Sequence, residues 1–222
     1  MAKKPVGRNG PFRAQVMEDG NVRGSYERIE FPASKPEVEE LIADWFLSSM
    51  ARAAEAVGDA PLFCDLQPNA ENDFDFTVST AHGPAYLELQ EAAPLNGPYE
   101  SAPAKYKPYE YAQYILSKIR EKSDKYPKTG VRDVFLLIYV THWAFVLSPT
   151  TVACLRVWLH QQSTAFRAIF TFSPLAWGEG EPRWLYPVPP ELREGFDPET
   201  VRDNVCLNLD SANFEVVRVS EP

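Results

Sequence analysis

The chain has 222 residues, 45% of them hydrophobic and 24% charged, which is the composition of a globular protein able to bury a substantial core. Its formal net charge of −9 disfavours, without excluding, a strong sequence-independent attraction to nucleic acid, because phosphate binding needs clustered lysine and arginine side chains. No stretch approaches the ~20 apolar residues of a membrane helix, and the first residues lack the apolar segment of a signal peptide, so we expect a cytoplasmic protein with no membrane partner.

Residues 1–33 are predicted to form a basic and largely irregular N-terminal arm, with a strand beginning near Tyr26. Six lysine and arginine residues against three acids fall within residues 1–28. Such an arm either contacts phosphates or helps to keep the protein in solution, and the sequence leaves both roles open.

A first helix is predicted to begin at Ser34. The segment Ser34-Lys35-Pro36-Glu37 combines a hydroxyl cap, a proline in the first turn and a glutamate at the capping-box position. Apolar residues then follow at helical spacing to about Val57, and Gly58 is expected to end the helix.

Three strands are predicted next, over residues 62–66, 74–78 and 85–92, with the turn-forming residues 81–84 between the last two. Their short spacing favours a meander.

A second helix follows a connector rich in proline and tyrosine, and Pro127 ends its pattern. Residues 134–140 are almost continuously apolar, which is typical of a central strand covered on both faces. A helix over residues 150–161 and a strand over residues 166–172 complete the pattern.

This order of elements predicts an α/β fold in which a mixed β-sheet is flanked by helices. We assign the α/β core to residues 34–173. Residues 174–222 are expected to form a β-rich C-terminal extension packed on the same domain.

The residues best suited to chemistry lie on the second and third of the three consecutive strands. Side chains alternate along a strand, so Asp73 and Asp75 share one face, and Glu88 and Gln90 share one face of the next strand. A tight turn would bring these groups together. Clustered carboxylates need a cation, and oxygen ligands suit Mg²⁺ or Mn²⁺, so the pattern predicts metal-assisted phosphodiester hydrolysis.

At these residues the chain resembles the PD-(D/E)XK nuclease superfamily, whose core runs helix, three strands, helix, strand. The resemblance implies a restriction-endonuclease-like fold and a metal site formed by Asp75 and Glu88, with Asp73 as an alternative to Asp75. Gln90 stands where the family usually has the lysine that positions or activates water. An amide can orient water but carries no charge.

A lysine elsewhere in the chain could supply the positive charge that Gln90 lacks, because some members of the family draw this lysine from the following helix. The lysines considered for that role are Lys105, Lys107 and Lys118, and Lys105 is the one we assign. Family members also place an acid on the first helix, for which Glu37 and Glu39 are candidates.

The sequence therefore predicts a metal-dependent nuclease acting on nucleic acid, most simply a DNA endonuclease. The alternative is a nuclease-fold protein that has lost cleavage and binds a protein or nucleic acid, and either form could pair as a homodimer. A shared approach of Asp75 and Glu88 to one point favours the enzyme, whereas a lysine filling the gap between them favours the inactive alternative.

The other reactive residues suggest no second chemistry. The three cysteines are far apart and the three histidines have no partner at metal-ligand spacing, so neither a disulfide framework nor a zinc module is predicted. No phosphate-binding loop or serine-hydrolase motif is present in the sequence.

Overall fold

The computed structural model describes residues 12–17, 22–26, 29–69, 73–92, 105–126 and 133–207. The strands in this part of the chain are, in order, β1 (Phe12–Val16), β2 (Val22–Tyr26), β3 (Cys64–Pro68), β4 (Phe76–Thr80), β5 (Gly83–Glu91), β6 (Lys105–Tyr106), β7 (Val134–Tyr139), β8 (Ala168–Ala176), β9 (Glu179–Tyr186) and β10 (Cys206–Leu207). The α-helices are α1 (Lys35–Val57), α2 (Pro108–Ser123) and α3 (Pro149–His160).

The described residues form a mixed α/β fold around a six-stranded sheet with the order β3-β4-β5-β7-β8-β9. Strands β3, β4 and β5 make an antiparallel meander, β5, β7 and β8 run parallel, and β9 returns antiparallel to β8. Two smaller antiparallel pairs, β1 with β2 and β6 with β10, lie outside this sheet. The predicted mixed sheet with flanking helices is thus confirmed at the level of fold class.

Helix α1 begins and ends as the sequence predicts. The Ser34 N–H donates to Glu37 Oε2 at 3.3 Å, which is the return bond of a capping box, and the Ser34 hydroxyl donates to the same oxygen at 2.5 Å. At the other end Gly58 adopts φ +80°, a left-handed conformation that glycine reaches without a steric penalty.

The sheet is covered on both faces, and β7 is buried at every position. Its alternate residues Phe135, Leu137 and Tyr139 join the core under α1. Leu136 and Ile138 join the core under α2 and α3. This confirms the prediction of a central strand, and it places an apolar layer on each side of the acidic strands.

Three local predictions differ from the structure. The arm expected to be irregular contains the antiparallel strands β1 and β2, which pair with each other. Strand β4 begins at Phe76, so Asp73 and Asp75 lie in the bend that precedes it rather than in the strand. Part of the expected C-terminal extension, β9, instead forms an edge of the central sheet.

Residues 208–222 of the expected β-rich C-terminal extension lie outside the described residues. Across the parts of the chain that the structure describes, no helix is both long and apolar enough to cross a membrane.

Candidate functional site

The candidate site lies where β4 leaves the ladder with β5. The last paired residues are Phe76 and Leu87. After Leu87, the edge of β5 that faced β4 forms hydrogen bonds with side chains. The Leu89 N–H donates to Asp75 Oδ2 at 2.7 Å, and the Leu89 carbonyl accepts from Lys122 Nζ at 2.7 Å. Because β4 begins only at Phe76, the backbone N–H and carbonyl of Leu89 are left to bind the Asp75 carboxylate and the Lys122 ammonium.

Glu88 is the most buried acid of the group, with only 4% of its surface exposed. Strand alternation turns it toward α2, where Lys122 Nζ contacts Oε2 and the Tyr126 hydroxyl donates to Oε1 at 2.5 Å. Burial raises the pKa of the Glu88 carboxyl above its ordinary value, Lys122 and Tyr126 oppose that rise, and nearby Asp75 adds to it. Both carboxyl oxygens are thus occupied by hydrogen-bond donors.

Lys122 brings the two predicted metal ligands to one point. Its ammonium contacts Glu88 Oε2, donates to the Leu89 carbonyl, and lies 3.7 Å from Asp75 Oδ2. The Lys122 side chain is 17% exposed, whereas that of Asp75 is 33% exposed, so the site opens to solvent on the Asp75 side. Asp75 and Glu88 thus both approach the Lys122 ammonium, which lies between them.

Tyr126 is packed so that its hydroxyl stays on Glu88. Its ring stacks on Phe74 at 5.3 Å between centroids and meets Phe166 edge-on at 6.0 Å. Burial and the hydrogen bond to Glu88 raise the pKa of the Tyr126 hydroxyl, so it remains a neutral donor at physiological pH.

A second acid, Glu39, approaches from the opposite face of the sheet. It is 7% exposed, accepts from the Tyr139 hydroxyl at 3.2 Å, and pairs with Lys35 Nζ at 3.1 Å. Burial raises the Glu39 pKa, Lys35 and Tyr139 oppose the rise, and the charge of Asp75 adds to it. Of the two helix acids considered from sequence, Glu39 is the one near the site, because Glu37 is used in the helix cap.

The remaining predicted acid and amide lie at the edge of the site. Asp73 is exposed, accepts from Asn69 Nδ2 at 2.7 Å, and contributes to the raised pKa of Tyr126. The half-buried Gln90 donates its side-chain amide to the Glu91 carbonyl at 3.0 Å. Of the predicted site residues, Asp75 and Glu88 both contact Lys122.

The lysines singled out from sequence lie elsewhere. Lys105 is exposed on the short strand β6, where it pairs with Leu207. Lys107 pairs with Asp203 at 3.2 Å, and Lys118 pairs with Glu121 at 2.8 Å. The cation on Glu88 is instead Lys122, which sequence reasoning missed although it lies one helical turn after Lys118 on the same side of α2.

The donor set consists of two carboxylates and one backbone carbonyl. Within the described residues no group of three or more His, Cys, Asp or Glu side chains is arranged to hold a metal ion. The oxygens that could hold a divalent ion at this point are those of Asp75, Glu88 and the Leu89 carbonyl.

Comparisons with known proteins add no relative to this description. No protein-family model, curated protein or solved structure matches the chain.

Proposed function

We propose that the chain is a metal-dependent nuclease that hydrolyses phosphodiester bonds in DNA with Mg²⁺ or Mn²⁺ at Asp75 and Glu88. The observation that carries the proposal is the approach of two carboxylates and the Leu89 carbonyl to one point, which the Lys122 ammonium occupies in this structure.

The oxygens fit a hard divalent ion by their chemistry. Mg²⁺ and Mn²⁺ prefer carboxylate, carbonyl and water oxygens, and Mg²⁺ commonly uses one or two carboxylates and keeps several waters. Asp75 and Glu88 would supply the two carboxylates, Leu89 the carbonyl, and the solvent-open side next to Asp75 the waters.

The order of elements supports the finer description of the fold. Helix α1, the antiparallel meander β3–β5, helix α2, and β7 parallel to β5 follow the order implied by the resemblance to the PD-(D/E)XK superfamily. A restriction-endonuclease-like fold is therefore part of the proposal. In this assignment Lys122 on α2 takes the role of the lysine that the family usually has at the position of Gln90.

A divalent ion at this point would lower the pKa of a bound water and neutralise charge on the phosphate under attack. The chain's own residues do the positioning. Tyr126 fixes the orientation of the Glu88 carboxylate, and the Leu89 N–H fixes Asp75. Lys122 supplies the positive charge that Gln90 cannot, and its ammonium can donate hydrogen bonds to water or to a phosphate oxygen.

One observation favours a second candidate function, a nuclease-fold protein that binds a protein or nucleic acid without cutting. The Lys122 ammonium fills the gap between Asp75 and Glu88, which is the arrangement expected of the inactive alternative, and it compensates the charge of the two acids without a metal. The net charge of −9 would then favour a protein partner over DNA.

Nicking of supercoiled plasmid in Mn²⁺ tests the proposal. The wild-type protein should convert plasmid to the open circle, and Glu88→Gln, which keeps the shape but removes the charge, should not. Glu110→Gln on the exposed side of α2 is the matched control and should cut as wild type does. Equal nicking by wild type and Glu88→Gln, or none by wild type, would contradict a nuclease site at Glu88.

A further inference from the structure

Lys122 occupies the position that a divalent ion would need. Its ammonium contacts Glu88 Oε2, donates to the Leu89 carbonyl at 2.7 Å, and lies 3.7 Å from Asp75 Oδ2. A metal bound to the same oxygens would sit about 2.0–2.1 Å from each of them if it were Mg²⁺. Two cations cannot share this space, because they would overlap and repel each other at short range.

The Lys122 side chain can move away without changing the positions of the two carboxylates. Lys122 is the penultimate residue of α2, and its ammonium is carried on a flexible four-carbon stem. Glu88 keeps its orientation through the separate hydrogen bond from Tyr126 to Oε1, and Asp75 keeps its own through the Leu89 N–H. The oxygens are thus positioned by contacts that do not depend on Lys122.

We propose that Lys122 is the resident counter-ion of this site and that a divalent ion binds only by displacing it. The inference rests on the proposed function, since it concerns the metal of that same site. Displacement lowers the apparent metal affinity of the wild-type protein, because each binding event must first break the contacts of the ammonium. Displacement also makes the Lys122 ammonium available beside the metal, and only while the metal is bound.

Calorimetric titration with Mn²⁺ at pH 7 tests the displacement. Lys122→Met removes the competing charge and nearly preserves the length of the side chain, so Mn²⁺ should bind at least about tenfold more tightly than to wild type, within the usual range for coupled ligands. Lys118→Met, one turn earlier on the same helix, should bind Mn²⁺ as wild type does. Equal or weaker binding by Lys122→Met would overturn the displacement.

Thermal unfolding gives a readout that does not depend on activity. Lys122→Met should unfold at a lower temperature than wild type in chelator, and Mn²⁺ should raise its midpoint more than it raises that of wild type. An equal rise in both proteins would contradict competition for the same oxygens.

The two proposals fail in different ways. Binding of Mn²⁺ with equal affinity by wild type and Lys122→Met would leave the metal site in place and remove the displacement. Absence of binding by both would overturn the displacement and the proposed function together.

If Lys122→Met does not fold, wild-type protein with ¹³C-labelled lysine answers the same question by nuclear magnetic resonance. Titration with Mg²⁺ should shift the Lys122 side-chain signals and leave those of Lys118 unchanged. Saturation with Mg²⁺ without a shift at Lys122 would overturn the proposal.

Discussion

Removing the Lys122 ammonium should destabilise the metal-free protein strongly. Glu88 is 4% exposed, and Lys122→Met leaves its carboxylate with only Tyr126 as a described side-chain donor. Removing one partner of a buried ion pair costs about 3–5 kcal/mol. Because the Lys122 side chain is 17% exposed and water can reach the vacated position, we expect a loss near the lower end, about 3 kcal/mol of unfolding free energy.

Urea denaturation at pH 7 in chelator measures this loss. Lys118→Met is the control, because it removes a surface pair with Glu121 of a type worth less than about 1 kcal/mol. The double variant Lys122→Met with Glu88→Gln should recover part of the loss, since it removes the uncompensated charge as well. If Lys122→Met costs no more than Lys118→Met, the ion pair is not the buried contact described above.

Three further predictions concern contacts around the site and the sheet. Tyr126→Phe removes the donor to Glu88 Oε1 and should lower the unfolding free energy by about 2 kcal/mol at pH 7, measured by urea denaturation, and no change would show that water replaces the hydroxyl at no cost. The raised pKa of Glu39 means that its folded state binds a proton more readily than its unfolded state, so stability falls as pH rises from the ordinary value of 4.5 through the folded pKa. Glu39→Gln removes that loss, so the unfolding free energy of the variant should rise relative to that of wild type between about pH 4 and pH 7, measured by denaturation at each pH. A relative fall would contradict the raised pKa of Glu39. Gly180→Ala would place a methyl group on the Phe172 ring and 2.8 Å from the Ser173 carbonyl, so we expect a loss of about 1–3 kcal/mol in the same assay, and a neutral effect would mean that the β8–β9 pair relaxes.

Local sequence patterns were enough to predict the elements that are determined by neighbouring residues. The capping box at Ser34 and Glu37, the left-handed Gly58, and the uniformly apolar β7 each follow from a few neighbouring residues. The proximity of Asp75 and Glu88 is expected from strand alternation and a short turn, but Asp75 lies in the bend before β4, where the Leu89 N–H holds it beside Glu88.

The cation of the site could not be predicted in the same way. Which lysine of α2 reaches Glu88 depends on how the helix lies across the sheet, and Lys118 and Lys122 share one helix face. The core under α2 selects Lys122, and Lys118 remains near the surface. The backbone carbonyl of Leu89 could not be identified either, because it depends on the residue at which β4 begins.

A crystal structure of the wild-type protein soaked in Mn²⁺ would locate the metal through its anomalous signal. We expect a peak bound by Asp75, Glu88 and the Leu89 carbonyl, with the Lys122 ammonium moved out from between the two acids. A structure in which Lys122 still joins Asp75 and Glu88 at saturating Mn²⁺, with no peak at these oxygens, would contradict this expectation.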